Sequence, residues 1–111
     1  MAYYNIFVPP GLPERLHRRA LRAGPSAVSS RGIPQLELLA RVGFESVEET
    51  DLTDEFLTAA RAWFEGRQSR ESELRATFGD PWFDDRQADS RAMIPAIEQG
   101  LLRRSLFVAL T

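Results

Sequence analysis

The apolar run at the end of the sequence, residues 101–110, places the strongest constraint on the fold. Gly100 closes a long helical pattern, and the run that follows is rich in Leu, Phe and Val, a composition that favours a buried strand. A single strand cannot pair its own backbone N–H and C=O groups, so it needs neighbouring strands. Residues 2–8 and 44–50 are also rich in strand-forming side chains. We therefore expect the C-terminal strand to lie between these two segments.

Helical patterns fill the intervals between the three strands. The first follows Pro13, and the second begins at Ile33 or Pro34 and ends at Gly43, after a loop at residues 25–32. This order predicts one α/β domain, residues 1–111, with a small three-stranded mixed sheet. The first two strands run parallel and the C-terminal strand runs antiparallel in the middle. Helices cover the faces of the sheet, and residues 53–99 add a long helical hairpin.

Local signals define the first arm of that hairpin. Thr53 is a favourable N-cap, and the helix that follows is predicted to run without a break to Phe78. Arg67, Glu71 and Arg75 follow one another at intervals of four residues, so two ion pairs are expected along this helix.

Composition excludes several classes of function. The chain has no cysteine and one histidine, His17, which excludes thiolate metal sites, disulfides and two-histidine mechanisms. A formal net charge of −2 gives no general reason to expect a nucleic-acid partner. No run is long and apolar enough to cross a membrane, and no signal peptide is evident at the N-terminus. We expect a cytoplasmic protein without a bound metal.

Three segments resemble parts of the C-terminal half of class I S-adenosylmethionine-dependent methyltransferases. One is the first apolar strand with the Pro-Pro-Gly-Leu sequence at residues 9–12. Residues 38–47 are similar to the family's junction of a leucine-rich helix, a Gly-Phe pair and the sixth strand. The last is the terminal strand after a helical insertion. The resemblance implies the family's topology, in which the seventh strand lies antiparallel between the fifth and the sixth.

The same resemblance implies that the cofactor site is missing. In the family, a glycine-rich loop and an acidic residue that bind the cofactor belong to the half that would precede Tyr3. The seven glycines of this chain include no Gly-x-Gly arrangement. No catalytic or cofactor-binding residue is therefore carried over, and no cofactor is expected.

Two sets of residues are candidates for association or ligand binding in the strands and the hairpin. The first strand offers an uncharged, apolar edge that a second molecule or a partner chain can cover through strand pairing. The hairpin has a high aromatic content, which is typical of a core and also of a pocket. The candidate edge comprises Tyr3, Tyr4, Ile6 and Val8, and the candidate pocket comprises Trp63, Phe64, Trp82 and Phe83.

Charged side chains supply weaker candidates. Four arginines of the first helix fall on one face, where they form either an anion-binding surface or an ordinary solvated face: Arg15, Arg18, Arg19 and Arg22. Asp85 and Asp89 lie one helical turn apart and fit a solvated helix face better than a cation site. His17 is interpreted as a surface residue of the first helix.

Three functions are consistent with this sequence. The first is a methyltransferase-like protein that has no catalysis of its own and acts through homodimerisation or a partner polypeptide. Another is the substrate-contacting half of a split methyltransferase. A third is a small-molecule binding module that uses the aromatic hairpin.

Overall fold

A computed structural model describes residues 1–25 and 35–111. The elements in chain order are β1 (Ala2–Phe7), α1 (Glu14–Ala23), α2 (Gln35–Arg41), β2 (Ser46–Asp51), α3 (Thr53–Ser69), α4 (Glu71–Phe78), α5 (Asp80–Glu98) and β3 (Arg103–Leu110). The predicted start of the second helix and nearly all of the predicted loop at residues 25–32 lie outside the described residues. Gly43 ends α2 with φ of 104°, and Gly100 follows α5 with φ of 75°, as expected of residues that end a helix in the left-handed region.

The sheet has the order β1-β3-β2, which confirms the predicted position of the C-terminal strand. β3 pairs antiparallel with both neighbours, so Leu106 lies opposite Tyr4 on one side and Thr50 on the other. β1 and β2 consequently run in the same direction, as predicted, and β3 separates them. Both strand pairs in the described part of the chain are antiparallel.

One face of the sheet is covered by α2. Alternate residues of a strand point to the same face, and here Tyr3, Phe107 and Ala109 share the face that packs against Leu39. The rings of Tyr3 and Phe107 stack with their centroids 5.4 Å apart. Phe107 and Ala109 are each 1% exposed, so the part of this face that lies against Leu39 is a hydrophobic core.

A second core lies where α1, α3 and α5 meet the end of the sheet. Leu102, immediately before β3, is fully buried in it and contacts a cluster that includes Val8 and Phe56. Ala20 and Ala96 are also fully buried, and such small side chains allow the helices to approach one another closely. This core fixes the helical layer relative to β3.

The first arm of the helical hairpin differs from its prediction. The chain leaves helical geometry at Arg70, with φ of −119°, so that α3 and α4 are separate helices. Thr53 is the first residue of α3 and makes no side-chain cap; its N–H instead donates to the Asp51 carboxylate at 2.8 Å. Of the two predicted ion pairs, Glu71–Arg75 is present at 2.7 Å. Arg67 does not pair with Glu71, because its guanidinium points to α5.

Candidate functional site

A groove of about 530 Å³ lies among α3, α4 and α5, and we call it the helical groove. Its lining combines aromatic and aliphatic side chains with three guanidinium groups: Trp63, Gly66, Arg67, Arg70, Leu74, Phe78, Trp82 and Arg86. Trp63 is 69% exposed and Phe78 is 57% exposed. The rings of Phe78 and Trp82 stack at a centroid distance of 4.6 Å. A flat aromatic surface is therefore accessible from solvent beside positive charge.

The guanidinium of Arg67 is held by neutral partners. Its Nε donates to Gln87 Oε1 at 2.7 Å and its Nη2 donates to Ser90 Oγ at 2.5 Å. Burial lowers the pKa of Arg67, the positive charge of Arg86 lowers it further, and Asp89 offsets part of this effect. Arg67 therefore carries a partly buried charge that no directly bonded carboxylate neutralises within the described residues.

The other two arginines of the helical groove differ in their partners. Arg70 binds both carboxylate oxygens of Glu73, at 3.0 and 3.1 Å. Arg86 lies over the ring of Trp82, 5.6 Å from its centroid, and in the described part of the chain it forms no salt bridge. Arg67 and Arg86 are thus the two groove cations that remain available to an anion.

Arg75 fixes the wall of the helical groove that α4 supplies. It forms salt bridges with Glu71 of its own helix and with Asp80 and Asp84 of α5, at 2.7 to 3.0 Å. Its guanidinium also lies 4.4 Å from the ring centroid of Phe83. Hydrogen bonds from Arg75 to these three carboxylates raise the pKa of the arginine. The network joins α4 to α5 after the chain turns at Gly79, where φ is 93°.

The four residues predicted to form a pocket are split by the structure. Trp63 and Trp82 both line the helical groove. Phe83 is 2% exposed and belongs to the interior, and Phe64 lies under the guanidinium of Arg91 at 5.5 Å. Whether the groove binds a ligand remains a prediction.

The predicted arginine face of α1 is exposed. Arg18 forms a salt bridge with Glu14 at 3.3 Å, and Arg15 and Arg19 are exposed as well. Arg22 lies at a second cavity of about 520 Å³, which shares Trp63, Arg67 and Arg86 with the helical groove. Anion binding by the other three arginines is a prediction with no further contact to support it.

The four residues of the predicted association edge occupy different environments. Val8 is 3% exposed and Ile6 packs against the same core, while Tyr3 stacks on Phe107. Tyr4 is 58% exposed and lies beneath the guanidinium of Arg104, 4.6 Å from the ring centroid. Tyr4 is thus the one member of the set whose side chain is mainly in solvent.

The register of the sheet shows which backbone groups of β1 face its outer edge. The Met1 amino group donates to the Ala109 carbonyl, and the Ala109 N–H donates to the Met1 carbonyl, both at 2.8 Å. Such mutual pairs alternate along an antiparallel ladder. The N–H and C=O groups of Ala2, Tyr4 and Ile6 therefore point away from β3. In the three-stranded sheet of the described residues, no strand lies on that side.

The two edges of the sheet differ in charge. β2 carries three exposed acidic side chains, Glu48, Glu49 and Asp51. β1 carries no charged side chain. Because charged residues on an edge strand oppose pairing with another chain, β2 is protected and β1 is not.

The described residues hold no group of three or more His, Asp or Glu side chains arranged as metal ligands. Asp85 and Asp89 are exposed on α5, and His17 is half-buried on α1. Across the described ranges, no helix combines the length and the apolar character needed to span a bilayer.

The sequence alone did not indicate which residues hold Arg67 or that Phe78 stacks on Trp82. Gln87 and Ser90 are polar residues on the buried face of α5, and their role depends on Arg67, about twenty positions earlier in the chain. Phe78 and Trp82 are four residues apart across the Gly79 turn, which hides their stacking in a simple helical pattern. A polar residue at position 87, on the same helical line as Phe83 and Ser90, is the signal that could have indicated a buried network.

A search of solved structures finds a protein of similar fold. The chain is similar to phosphoethanolamine N-methyltransferase 2 of Haemonchus contortus, solved in complex with phosphomonomethylethanolamine and S-adenosylhomocysteine. The TM-score is 0.76 and the identity is 14%, over 99% of this chain and 25% of that chain. No protein-family model and no curated protein matches the sequence. The fold is methyltransferase-like, and the chain spans one quarter of the length of this neighbour.

Proposed function

We propose that this chain is a methyltransferase-like module without catalysis of its own that acts as a homodimer. The observation that carries the proposal is the uncharged outer edge of β1, next to an acidic and therefore protected β2. The fold adds support, since the whole chain corresponds to a quarter of a methyltransferase. The proposal includes the interpretation that this quarter corresponds to the C-terminal half of the methyltransferase domain and lacks the S-adenosylmethionine site.

A second copy is the occupant that best suits the β1 edge. Antiparallel pairing of two identical strands about a two-fold axis makes the interface self-complementary. The side chains that the two β1 strands themselves bring together are uncharged, and the nearest charge is the Arg104 guanidinium over the Tyr4 ring. It also satisfies the outward N–H and C=O groups of Ala2, Tyr4 and Ile6.

The substitution Tyr4→Pro tests this arrangement. Proline removes the Tyr4 N–H, which points away from β3, so the internal ladder keeps its hydrogen bonds while the outer edge loses a donor. We expect light scattering to show twice the chain mass of 12.6 kDa for the wild type and a monomer for Tyr4→Pro.

Tyr4→Val is the matched control, because it removes the ring and keeps the N–H. A dimer that persists in Tyr4→Val and dissociates in Tyr4→Pro supports backbone pairing. A dimer that persists in both variants places the interface elsewhere, and a monomeric wild type contradicts the proposal directly.

A split enzyme is the alternative within the same family. In that case another polypeptide supplies the cofactor half, and this chain supplies contacts to the substrate. Calorimetry with S-adenosylmethionine tests the premise that both readings share: the purified chain alone should release no heat of binding. Binding at micromolar affinity would refute the proposed absence of a cofactor site.

A small-molecule binding module is the second candidate function. Trp63 and Trp82 favour it, because both line the helical groove and present aromatic surface beside arginines. This function is compatible with a dimer formed through β1, since the helical groove lies in the helical layer.

A further inference from the structure

We propose that the helical groove binds a small aromatic anion, a flat ring that carries a phosphate or a carboxylate. The inference rests on the second candidate function, ligand binding by the aromatic hairpin, and adds the chemical class of the ligand. It is independent of dimerisation through β1.

The anionic group follows from the two available cations. The Arg67 guanidinium uses two of its donor groups on Gln87 and Ser90, at 2.7 and 2.5 Å. Arginine has five N–H donors, so several remain for a ligand. Arg86 contributes a second guanidinium at the same groove, held over a tryptophan ring and not by a carboxylate. Two guanidinium groups that repel each other are both stabilised when a phosphate or carboxylate binds between them.

The flat ring follows from the apolar lining. Trp63 and Phe78 expose more than half of their surface, which is unusual for aromatic side chains because their exposure to water is unfavourable. Leu74 adds an aliphatic wall from α4. A ligand ring that stacks on this surface removes it from water while its anionic substituent reaches the arginines.

The volume of the helical groove sets the size of the ligand. About 530 Å³ lies within the range of sites for small molecules. It accommodates one or two rings with their substituents, and it is too small for a folded partner. The network around Arg75 holds α4 against α5, so the groove is present before a ligand binds.

Phenyl phosphate is a direct probe of this site. The chain contains two tryptophans, and both line the helical groove, so intrinsic tryptophan fluorescence reports on ligand binding there. Trp63 also lines the second cavity, whereas Trp82 does not. We expect phenyl phosphate to change the emission saturably, with a dissociation constant of about 1 mM or lower, the range for a ligand of this size. Benzyl alcohol, which lacks the charge, and inorganic phosphate, which lacks the ring, should bind at least about tenfold more weakly.

Arg86→Gln should weaken phenyl phosphate binding about tenfold, because a charged hydrogen-bonding partner is lost. Arg91→Gln is the matched control: Arg91 lies on the same helix and over an aromatic ring, but it does not line the groove. Both positions are exposed, so both variants should keep the far-UV circular dichroism of the wild type.

The outcomes are distinguishable. Equal binding of phenyl phosphate and benzyl alcohol would refute recognition of the anionic group and leave the groove as a site for neutral ligands. Equal binding of phenyl phosphate and inorganic phosphate would refute recognition of the aromatic ring. Equal weakening by Arg86→Gln and Arg91→Gln shows a general charge effect and also refutes the assignment. If no probe binds, both the assignment and the binding-module function are wrong.

Discussion

Replacing Gln87 with leucine should destabilise the protein through Arg67. Gln87 is 1% exposed and accepts the Arg67 Nε–H at 2.7 Å, while its own amide donates to the Phe64 carbonyl and to Gln68 at 3.2 Å. Leucine fills nearly the same volume, so no large cavity is created. The main effect is that a partly buried guanidinium loses an acceptor.

The magnitude follows from that loss. A hydrogen bond to a charged group contributes about 1.5–3 kcal/mol, and an unsatisfied buried donor costs about as much. Gln68 is exposed, so water replaces its bond to Gln87 at little cost. We expect the free energy of unfolding to fall by about 2 kcal/mol, which corresponds to a decrease in Tm of about 10 °C for a domain of this size.

Urea unfolding followed by circular dichroism measures this change. Gln99→Leu is the matched control, because Gln99 is exposed at the end of α5 and should change stability by less than about 0.5 kcal/mol. The double variant Arg67→Met with Gln87→Leu should recover about 1–2 kcal/mol of the summed single effects, because no unpaired charge remains. Equal effects of Gln87→Leu and Gln99→Leu would refute the reasoning, as would additivity in the double variant.

Two further predictions concern the core and the pH dependence. Leu102→Ala should lower the free energy of unfolding by about 3 kcal/mol in urea titrations, since Leu102 is fully buried. The control Leu110→Ala, at a side chain 57% exposed, should change it by under about 1 kcal/mol. Similar effects of the two variants would contradict the described core. Partial burial raises the pKa of Asp51, but hydrogen bonds from Thr53 and Arg103 outweigh it, and the pKa lies below the ordinary value of 3.8. Because its pKa is depressed in the folded state, the ionised Asp51 stabilises the fold at pH values above its unfolded-state pKa, and this stabilisation is lost as the pH falls through the folded-state pKa. Asp51→Asn should therefore destabilise the protein at pH 7 and have a smaller effect at pH 3. An equal effect at both pH values would refute the assignment.

The sheet could be predicted because its signals are local and mutually consistent. Gly100 and the apolar run after it define β3, and only two other segments have the composition of a strand. The hydrophobic residues of β3 then require neighbours on both sides, which fixes the order. The strand order therefore did not depend on knowing any specific side-chain contact between distant residues.

The helical layer was less predictable because distant contacts decide its details. The four-residue spacing of Arg67, Glu71 and Arg75 continues the helical pattern across Arg70, so the sequence offers no local reason for a break. The break accompanies contacts that the pattern does not contain: Arg67 reaches Gln87 on α5, and Arg75 reaches Asp80 and Asp84 beyond the next turn. The same contacts decide which aromatic side chains line the groove and which are buried.

The central position of β3 also determines when the sheet can form during synthesis. β1 and β2 do not pair with each other, and their partners in β3 lie about 100 and 60 residues later in the chain, as Tyr4 opposite Leu106 and Val47 opposite Ala109 illustrate. Pairing across such separations is slow, because a long loop must close before any contact forms. The helices can form as they leave the ribosome, but no hydrogen bond of the sheet exists until residues 103–110 have been translated. Until then the uncharged β1 strand lacks the partner that it has in the described sheet, and we expect the nascent chain to expose an apolar strand of the kind that chaperones protect.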